Sequence, residues 1–322
     1  MDKKRFGLLA AFSLVQNANF KGFFTGKIYQ GSLKNVCVPG LNCYSCPGAV
    51  GACPIGSLQG FLSGLKFRVP YYIVGLLLFF GAVLGRAVCG LLCPFGFVQE
   101  LLYLIPGIPK RNHFKADKPL RCLKYAVLLI LVIGLPSFVA LTPFFCKYLC
   151  PSGTLAGILL SIRDSMIRAQ LGGIFLWKLF LLVLIAAVCL AIWRPFCKYL
   201  CPLGAIYGLF NKFALYRMEL DENACIHCGK CAKECRMCVD PSKQPNSPEC
   251  VRCGDCVKAC PTKALKLGFR HPQAVKESGL DRQGAEEKLL SELEAGRCSG
   301  ETTGWLDADA VFRELEESRK EE

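Results

Sequence analysis

Cysteine is the residue type that sets the available chemistry, with 22 in a chain of 322 residues. Two runs toward the C-terminal end share one spacing. They are Cys225-x2-Cys228-x2-Cys231-x3-Cys235 and Cys250-x2-Cys253-x2-Cys256-x3-Cys260, the second followed by Pro261. Three close thiolates from one run and a fourth from the other form the ligand set of a [4Fe–4S] cube. The spacing therefore predicts two such clusters, one on Cys225, Cys228, Cys231 and Cys260, the other on Cys250, Cys253, Cys256 and Cys235. Structural zinc is the competing reading, but zinc sites usually present cysteines in pairs. Cys238 competes with Cys235 for ligation; Cys235 is preferred because it keeps the x3 spacing, although Arg236 rather than proline follows it. His227 is read as a neighbouring donor, not a ligand.

Upstream, the pair C-x3-C-P occurs three times, at Cys89/Cys93, Cys146/Cys150 and Cys197/Cys201. The segment Phe145-Cys-Lys-Tyr-Leu-Cys-Pro-Ser-Gly153 nearly repeats Phe196-Cys-Lys-Tyr-Leu-Cys-Pro-Leu-Gly204, and Cys89-Gly-Leu-Leu-Cys-Pro-Phe-Gly96 is a looser copy. If the turn is helical, an i, i+4 spacing puts both sulfurs on one face, and the proline ends that turn or opens the next helix. A loop before these pairs adds Cys37, Cys43, Cys46 and Cys53. Cys122 and Cys189 read as small buried hydrophobes.

The elements that carry these cysteines are apolar. Residues 1–218 contain only four carboxylates, Asp2, Glu100, Asp117 and Asp164. Three stretches, 70–88, 123–141 and 171–193, are long enough for the roughly 20 residues that cross a bilayer, and 6–24 is a weaker fourth. The N-terminal Lys3, Lys4 and Arg5 resemble the start of a signal peptide. No small-residue cleavage site follows, so the segment reads as retained. Lys110, Arg111, Lys115, Lys118, Arg121 and Lys124 mark the loop between the second and third stretches as cytoplasmic. Lys27, Lys34, Lys66 and Arg68 in the first outer loop oppose this orientation. Four spans would place Cys89, Cys93, Cys197 and Cys201 at the inner face, as ligands for a third cluster. Cys37, Cys43, Cys46, Cys53, Cys146 and Cys150 would lie at the outer face. There they would hold one or more further clusters on an undetermined four, or form disulfides in an oxidising compartment. The apolar stretches 97–105 and 205–213 read as interfacial or re-entrant helices.

Composition divides the chain into a transmembrane domain (1–218), a two-cluster module (219–270) and an acidic helical tail (271–322), with helical patterning at 285–293 and 307–317. The tail holds 14 acidic and 7 basic side chains, leaving a net +21 on the rest. Basic residues flanking apolar segments suit anionic headgroups rather than nucleic acid, and no nucleic-acid partner is expected. Arg86, Arg194 and Lys198 lie near the inner thiols in sequence, where they would stabilise an anionic cluster or simply anchor a span. Gln16, Asn17, Asn19, Gln99 and Glu100 could line a quinone head-group pocket or bond between helices. No G-x-G-x-x-G, P-loop or catalytic triad occurs, so nothing suggests nicotinamide binding.

Over residues 1–268 the chain resembles the membrane polyferredoxins of the NapH, NosR and CcoG type. The resemblance rests on the Cys89 and Cys197 motifs and the two ferredoxin runs. It departs from NapH in its extra outer cysteines and lacks the large flavin-binding domain of NosR. The apolar stretches and the cysteine runs together predict a mainly α membrane protein of about four transmembrane helices with a small α+β ferredoxin-like domain. The resemblance implies electron transfer, without naming donor or acceptor; the placement of the cysteine sites leads to a path between a cytoplasmic ferredoxin or other low-potential donor and a membrane or outer-face acceptor. A quinone-reactive oxidoreductase subunit and a redox-sensing or metal-reducing maturation protein are the alternatives.

Overall fold

The computed structural model describes residues 3–64, 70–112, 117–138, 142–163, 165–169 and 172–269, together with 291, 294 and 297. The helices expected over 307–317, and over 285–293 apart from Ser291, lie outside the described residues. Met1–Phe269 forms one compact unit and Arg270–Glu322 a second. Every cysteine motif lies in the first unit.

Most of the first unit is helical, and the Cys-Pro pairs start several of its helices. Cys53, Cys93 and Cys201 are extended residues at the N-caps of Pro54–Leu62, Pro94–Leu104 and Pro202–Phe210. Cys150, also extended, precedes Pro151–Arg163. Proline suits the first helical position because its fixed φ is already helical and its missing N–H would have had no partner there. The helices meet in a core containing Leu41, Ile55, Phe145, Trp193, Phe196 and Tyr207. Phe95 packs edge-on against Phe196, with ring centroids 5.2 Å apart.

Two helices have the length and apolarity to cross a bilayer, Asp117–Phe138 and Gly173–Ala191. The first contains a π-helical stretch, Val127–Gly134. The other two expected spans are shorter. The 6–24 stretch is helical from Lys3 to Gln16 and again from Phe20 to Thr25, and 14 residues reach only about 21 Å. Its break is specified by polar side chains: Gln16 donates to Leu92 O (2.7 Å) and Asn19 to Pro47 O (2.7 Å). The 70–88 stretch is helical over Tyr71–Leu84 and stops at Gly85, whose φ of 52° favours glycine.

The 37–53 loop, expected at the opposite face from Cys93, folds back onto it. Gln16 O accepts from Val50 N (3.1 Å) and Asn42 Nδ2 (3.3 Å). This brings Leu41 N to 3.4 Å from Cys93 Sγ. The polar end of the first helix thus pins the loop against the Cys89–Cys93 turn.

The ferredoxin-like segment contains an antiparallel hairpin, β1 (Tyr216–Leu220) and β2 (Leu265–Phe269), with Tyr216 opposite Phe269 and Leu220 opposite Leu265. Residues 247–252 seat it on the helices. Arg86 donates to Pro248 O (2.8 Å) and Glu249 (2.7 Å), and Lys124 also pairs with Glu249. Asn211 Nδ2 donates to Ser247 O and Cys250 O, while Arg252 donates to Leu84 O and Asn211 O. Burial opposes charge on Glu249, yet Arg86 and Lys124 hold its carboxyl below the ordinary range.

Two substitutions test this seating. A β-carbon at Gly90 would lie 2.4 Å from Val251 O, so Gly90→Ala should lift the 247–252 segment. Faster amide exchange confined to that segment is the expected result, and unchanged exchange would count against the contact. Glu249→Gln leaves two buried cations without their carboxylate and should cost about 3 kcal/mol. A lower thermal-unfolding midpoint in detergent would show this, and an unaltered midpoint would refute it.

Candidate metal centres

The two ferredoxin runs converge as two separate quartets. Cys225, Cys228, Cys231 and Cys260 line one cavity with Leu220, Ile226 and Pro261. Cys235, Cys250, Cys253 and Cys256 line another with Met218, Met237, Val239 and Pro245. Equivalent backbone turns build both. His227 and Arg252, each just before a second cysteine, adopt φ of 50° and 54°, and Gly229 and Gly254 follow at 69° and 79°. Cys238 and Lys263 correspond in the same way, three residues after Cys235 and Cys260, with φ of 54° and 55°. Cys238 therefore stands at the turn position that Lys263 holds after the other run. Its thiol donates to Asn112 O (3.0 Å) and lies 3.4 Å from Lys198 Nζ. His227 is exposed at the rim of the first cavity.

Burial raises the thiols of Cys235, Cys250 and Cys253 to about 11. Cys260 is lowered, first by its hydrogen bond with Thr262. The first quartet is the more open one, with Cys228 exposed.

The third quartet is buried among the helices. Cys89, Cys93, Cys197 and Cys201 lie within electrostatic reach of one another. Burial pushes Cys89 to about 12 and Cys197 to about 11. Three of these sulfurs accept hydrogen bonds: Cys93 from Leu41 N (3.4 Å), Cys197 from Gln99 Nε2 (3.1 Å) and Cys201 from Gly204 N (3.4 Å). Around them stand buried cations. Arg86 Nη2 donates to Cys197 O (2.8 Å), and Arg194 donates to Cys89 O. Arg194 also pairs with Glu100 (3.2 Å), which in turn pairs with Arg5 (2.8 Å). Lys198 pairs with Asp117 (2.5 Å). Arg86, Arg194 and Lys198 are wholly buried, so they are internal and not headgroup anchors; Lys198 turns to Asp117 and Cys238 and away from the quartet.

Arg86 Nε and Arg194 Nη2 are buried without a hydrogen-bond partner. Surplus donors and surplus positive charge beside four thiols suit an anionic, all-thiolate cluster. Among the described residues, no three His, Cys, Asp or Glu side chains converge as ligands of one metal ion. A cube is held at separate iron corners instead, so its thiolates need not meet at one point.

The remaining cysteines divide. Cys43, Cys53, Cys146 and Cys150 lie within electrostatic reach of one another. Cys37 donates to Ser57 Oγ (3.6 Å), and Cys46 to Asn17 Oδ1 (3.9 Å). Among the described residues every cysteine is a free thiol, so the expected alternative of outer disulfides is not formed here. Cys189 is buried as expected; Cys122 is exposed, contrary to expectation. Gln16, Asn17, Asn19, Gln99 and Glu100 all make internal bonds. Sequence reading missed the Arg5–Glu100–Arg194 network; the scarcity of carboxylates before residue 218 was the signal that each buried one must serve several cations.

The 4Fe-4S binding domain family model matches residues 51–71, 69–112, 123–166 and 174–218, and a second model of the same description matches 245–266. Each of the first four matches contains one Cys-Pro-x-Gly, at Cys53, Cys93, Cys150 and Cys201. An uncharacterised protein of Methanocaldococcus jannaschii is 27% identical over 57% of this chain and 64% of its own length. A second uncharacterised protein of that organism is 30% identical over 58% of this chain and 73% of its own length. The methylamine utilization ferredoxin-type protein MauN of Paracoccus denitrificans is 30% identical over 55% of this chain and 58% of its own length. The chain thus spans less than two thirds of two of these three relatives. No solved structure matches it. With its repeated matches on the Cys-Pro-x-Gly turns and its likeness to the second archaeal protein, the chain belongs to this family of 4Fe-4S binding proteins.

Proposed function

We propose that the protein is an integral membrane electron carrier, moving electrons between a cytoplasmic low-potential donor and an acceptor in or beyond the membrane. One contact carries this reading. Gly90, next to Cys89, packs on Val251, which lies between Cys250 and Cys253. The buried quartet and the second ferredoxin quartet are therefore neighbours through one residue on each side. The first ferredoxin quartet adjoins the second through the exchanged ligands Cys235 and Cys260, and its exposed Ile226 and Cys228 suit docking of a soluble donor. The ferredoxin-type name of MauN agrees with this reading.

When bound, [4Fe–4S] clusters supply one-electron storage at potentials set by charge, hydrogen bonding and burial. The chain's part is to hold each quartet, exclude water from the buried one, and offset its charge with Arg86 and Arg194. Membrane insertion is supported by the two long apolar helices. Leu129, Ile130, Leu176, Trp177, Phe180 and Val183 expose their side chains. Only Ile185 and Cys189 of Gly173–Ala191 are buried. Such a face would be unfavourable in water and fits hydrocarbon. A quinone head-group role for Gln16, Asn17, Asn19, Gln99 or Glu100 has no support from their placement, since all five are engaged in internal bonds.

The path is tested in proteoliposomes holding an impermeant oxidant, with reduced ferredoxin added outside. Cys197→Ala should remove about four iron per chain, keep the electron paramagnetic resonance signals of both ferredoxin clusters, and stop reduction of the trapped oxidant. Undiminished flow would exclude the buried quartet from the path. Gln99→Leu removes a donor to Cys197 Sγ and should lower that cluster's midpoint by about 60 mV, the one-electron equivalent of about 1.4 kcal/mol. Redox titration would read this shift, and a midpoint within error of wild type would show that the bond does not tune the centre.

A further inference from the structure

The structure assigns a fourth four-cysteine cluster site to Cys43, Cys53, Cys146 and Cys150, built as a modified copy of the buried quartet, with Cys37 and Cys46 outside it. This rests on the reading of the buried quartet as a cluster site, and adds the choice of four ligands from six candidates.

The backbone is the first observation. At the four Cys-Pro-x-Gly junctions the cysteine dihedrals nearly coincide. They are φ −85°, ψ 115° at Cys93 and φ −74°, ψ 114° at Cys201, against φ −77°, ψ 128° at Cys53 and φ −70°, ψ 112° at Cys150. Each cysteine precedes a helix that begins Pro-x-Gly. In the buried quartet two such junctions face each other, Cys93 and Cys201. Cys53 and Cys150 are the remaining pair, and they lie within reach of each other.

A cation–carbonyl contact is the second. In the buried quartet, the carbonyl of the first cysteine of each C-x3-C accepts from a cation supplied by a different segment. Arg194 serves Cys89, and Arg86 serves Cys197. That cation also lies over the glycine of a Cys-Pro-x-Gly, with Arg194 Nη1 2.9 Å from a β-carbon placed at Gly96 and Arg86 Nη2 3.5 Å from one at Gly204. Lys178 repeats both features. Its Nζ donates to Cys146 O (3.2 Å) and lies 3.6 Å from a β-carbon at Gly153. A lysine within the apolar Gly173–Ala191 helix is costly at membrane depth. An anionic cluster beside it would supply the counter-charge, and Cys43, Cys146 and Cys150 all lie within its electrostatic reach.

The copy is incomplete in one place, and that place selects the fourth ligand. Four residues before Cys53 stands Ala49, where the other junctions carry cysteine. A thiol must therefore come from the loop. Cys43 lies within reach of Cys53, Cys146 and Cys150; Cys37 is turned to Ser57, and Cys46, though within reach of Cys43, is turned to Asn17. Gly56 completes the enclosure, a β-carbon there lying 3.9 Å from Cys146 Sγ. Gln59 Oε1 accepts from Cys146 N (3.2 Å) while Gln59 Nε2 donates to Leu131 O (2.8 Å), which fixes the Cys146 turn to the neighbouring helix. Tyr207 stands between the two buried sites. Its hydroxyl donates to Pro39 O (3.0 Å), and thiols of both quartets, Cys53 on one side and Cys89, Cys93 and Cys201 on the other, lie within its electrostatic reach.

The test measures iron, acid-labile sulfide and low-temperature paramagnetic resonance on the full chain, assembled anaerobically and purified in detergent. Wild type should hold about sixteen iron, four per cube. Cys43→Ala, Cys53→Ala, Cys146→Ala and Cys150→Ala should each lose about four, while Cys37→Ala and Cys46→Ala lose none. The ferredoxin signals in the same samples report whether a variant has folded. A full complement in Cys43→Ala, or loss in Cys37→Ala or Cys46→Ala, would overturn the assignment. So would about twelve iron in wild type that no outer variant reduces. Failure of the buried-quartet reading looks different: Cys89→Ala or Cys201→Ala would then leave the iron unchanged.

Discussion

Arg86 holds together segments that the chain brings from far apart. Its guanidinium, wholly buried, donates to Cys197 O in one repeat and to Pro248 O and Glu249 in the ferredoxin segment. Desolvating a guanidinium is expensive, and the carboxylate and the two carbonyls that accept from its Nη atoms offset that cost. Those acceptors come from the pieces whose relative positions fix the distance between the buried quartet and the second ferredoxin quartet. The docked arrangement is therefore a condition for burying the charge. A ferredoxin segment swung away would strand Arg86 and Lys124 together, since both rely on Glu249.

The same economy of charge runs through the helical part. A chain with four carboxylates in its first 218 residues cannot match its buried cations one to one. Glu100 serves Arg5 and Arg194; Asp117 serves Arg121 and Lys198 and accepts from Tyr199. The remaining donors are turned to the carbonyls of the cysteine turns, which puts positive charge where thiolates gather. Glycine follows from this three residues after Cys93 and after Cys201. At Gly96, Arg194 comes too close for a β-carbon to fit without displacement, and at Gly204 the Cys197 carbonyl is 3.2 Å from that position. Cys-Pro-x-Gly thus packs an extended ligand residue, a helix start and room for a cation into four residues.

Much of this was legible before any fold. The ferredoxin quartets follow from spacing alone, because the exchanged fourth ligand is a property of the motif. The buried quartet is drawn from three C-x3-C-P pairs by way of the expected four-span topology. Helix lengths were less legible, because apolar runs do not reveal where a helix stops. Gln16 ended one expected span by reaching Leu92, and Gly85 ended another by its backbone conformation. The return of the 37–53 loop was hidden for the same reason, since it depends on the main-chain oxygen of Gln16 accepting two bonds. The fourth Cys-Pro-x-Gly, at Cys53, was visible in principle but concealed by Ala49 in place of the expected cysteine. Which turn accepted a loop thiol could be read only once the loop had a position.

The loop's return also changes what kind of conductor the protein can be. Sites fixed at opposite faces of a bilayer would leave a wide gap with nothing in the chain to fill it. Here Leu41 of the loop donates to Cys93, Pro39 accepts from Tyr207, and thiols on both sides lie within reach of that one ring. At the other end, Gly90 meets Val251 between two ferredoxin cysteines. The buried quartet thus meets the second ferredoxin quartet through the main chain at Gly90 and Val251, and meets the loop through Cys93 Sγ and the Tyr207 hydroxyl. Only movement of a whole turn can break the first contact, whereas a side-chain rearrangement can tune the second. The buried ion pairs at Arg86 and Glu100 hold those turns in place.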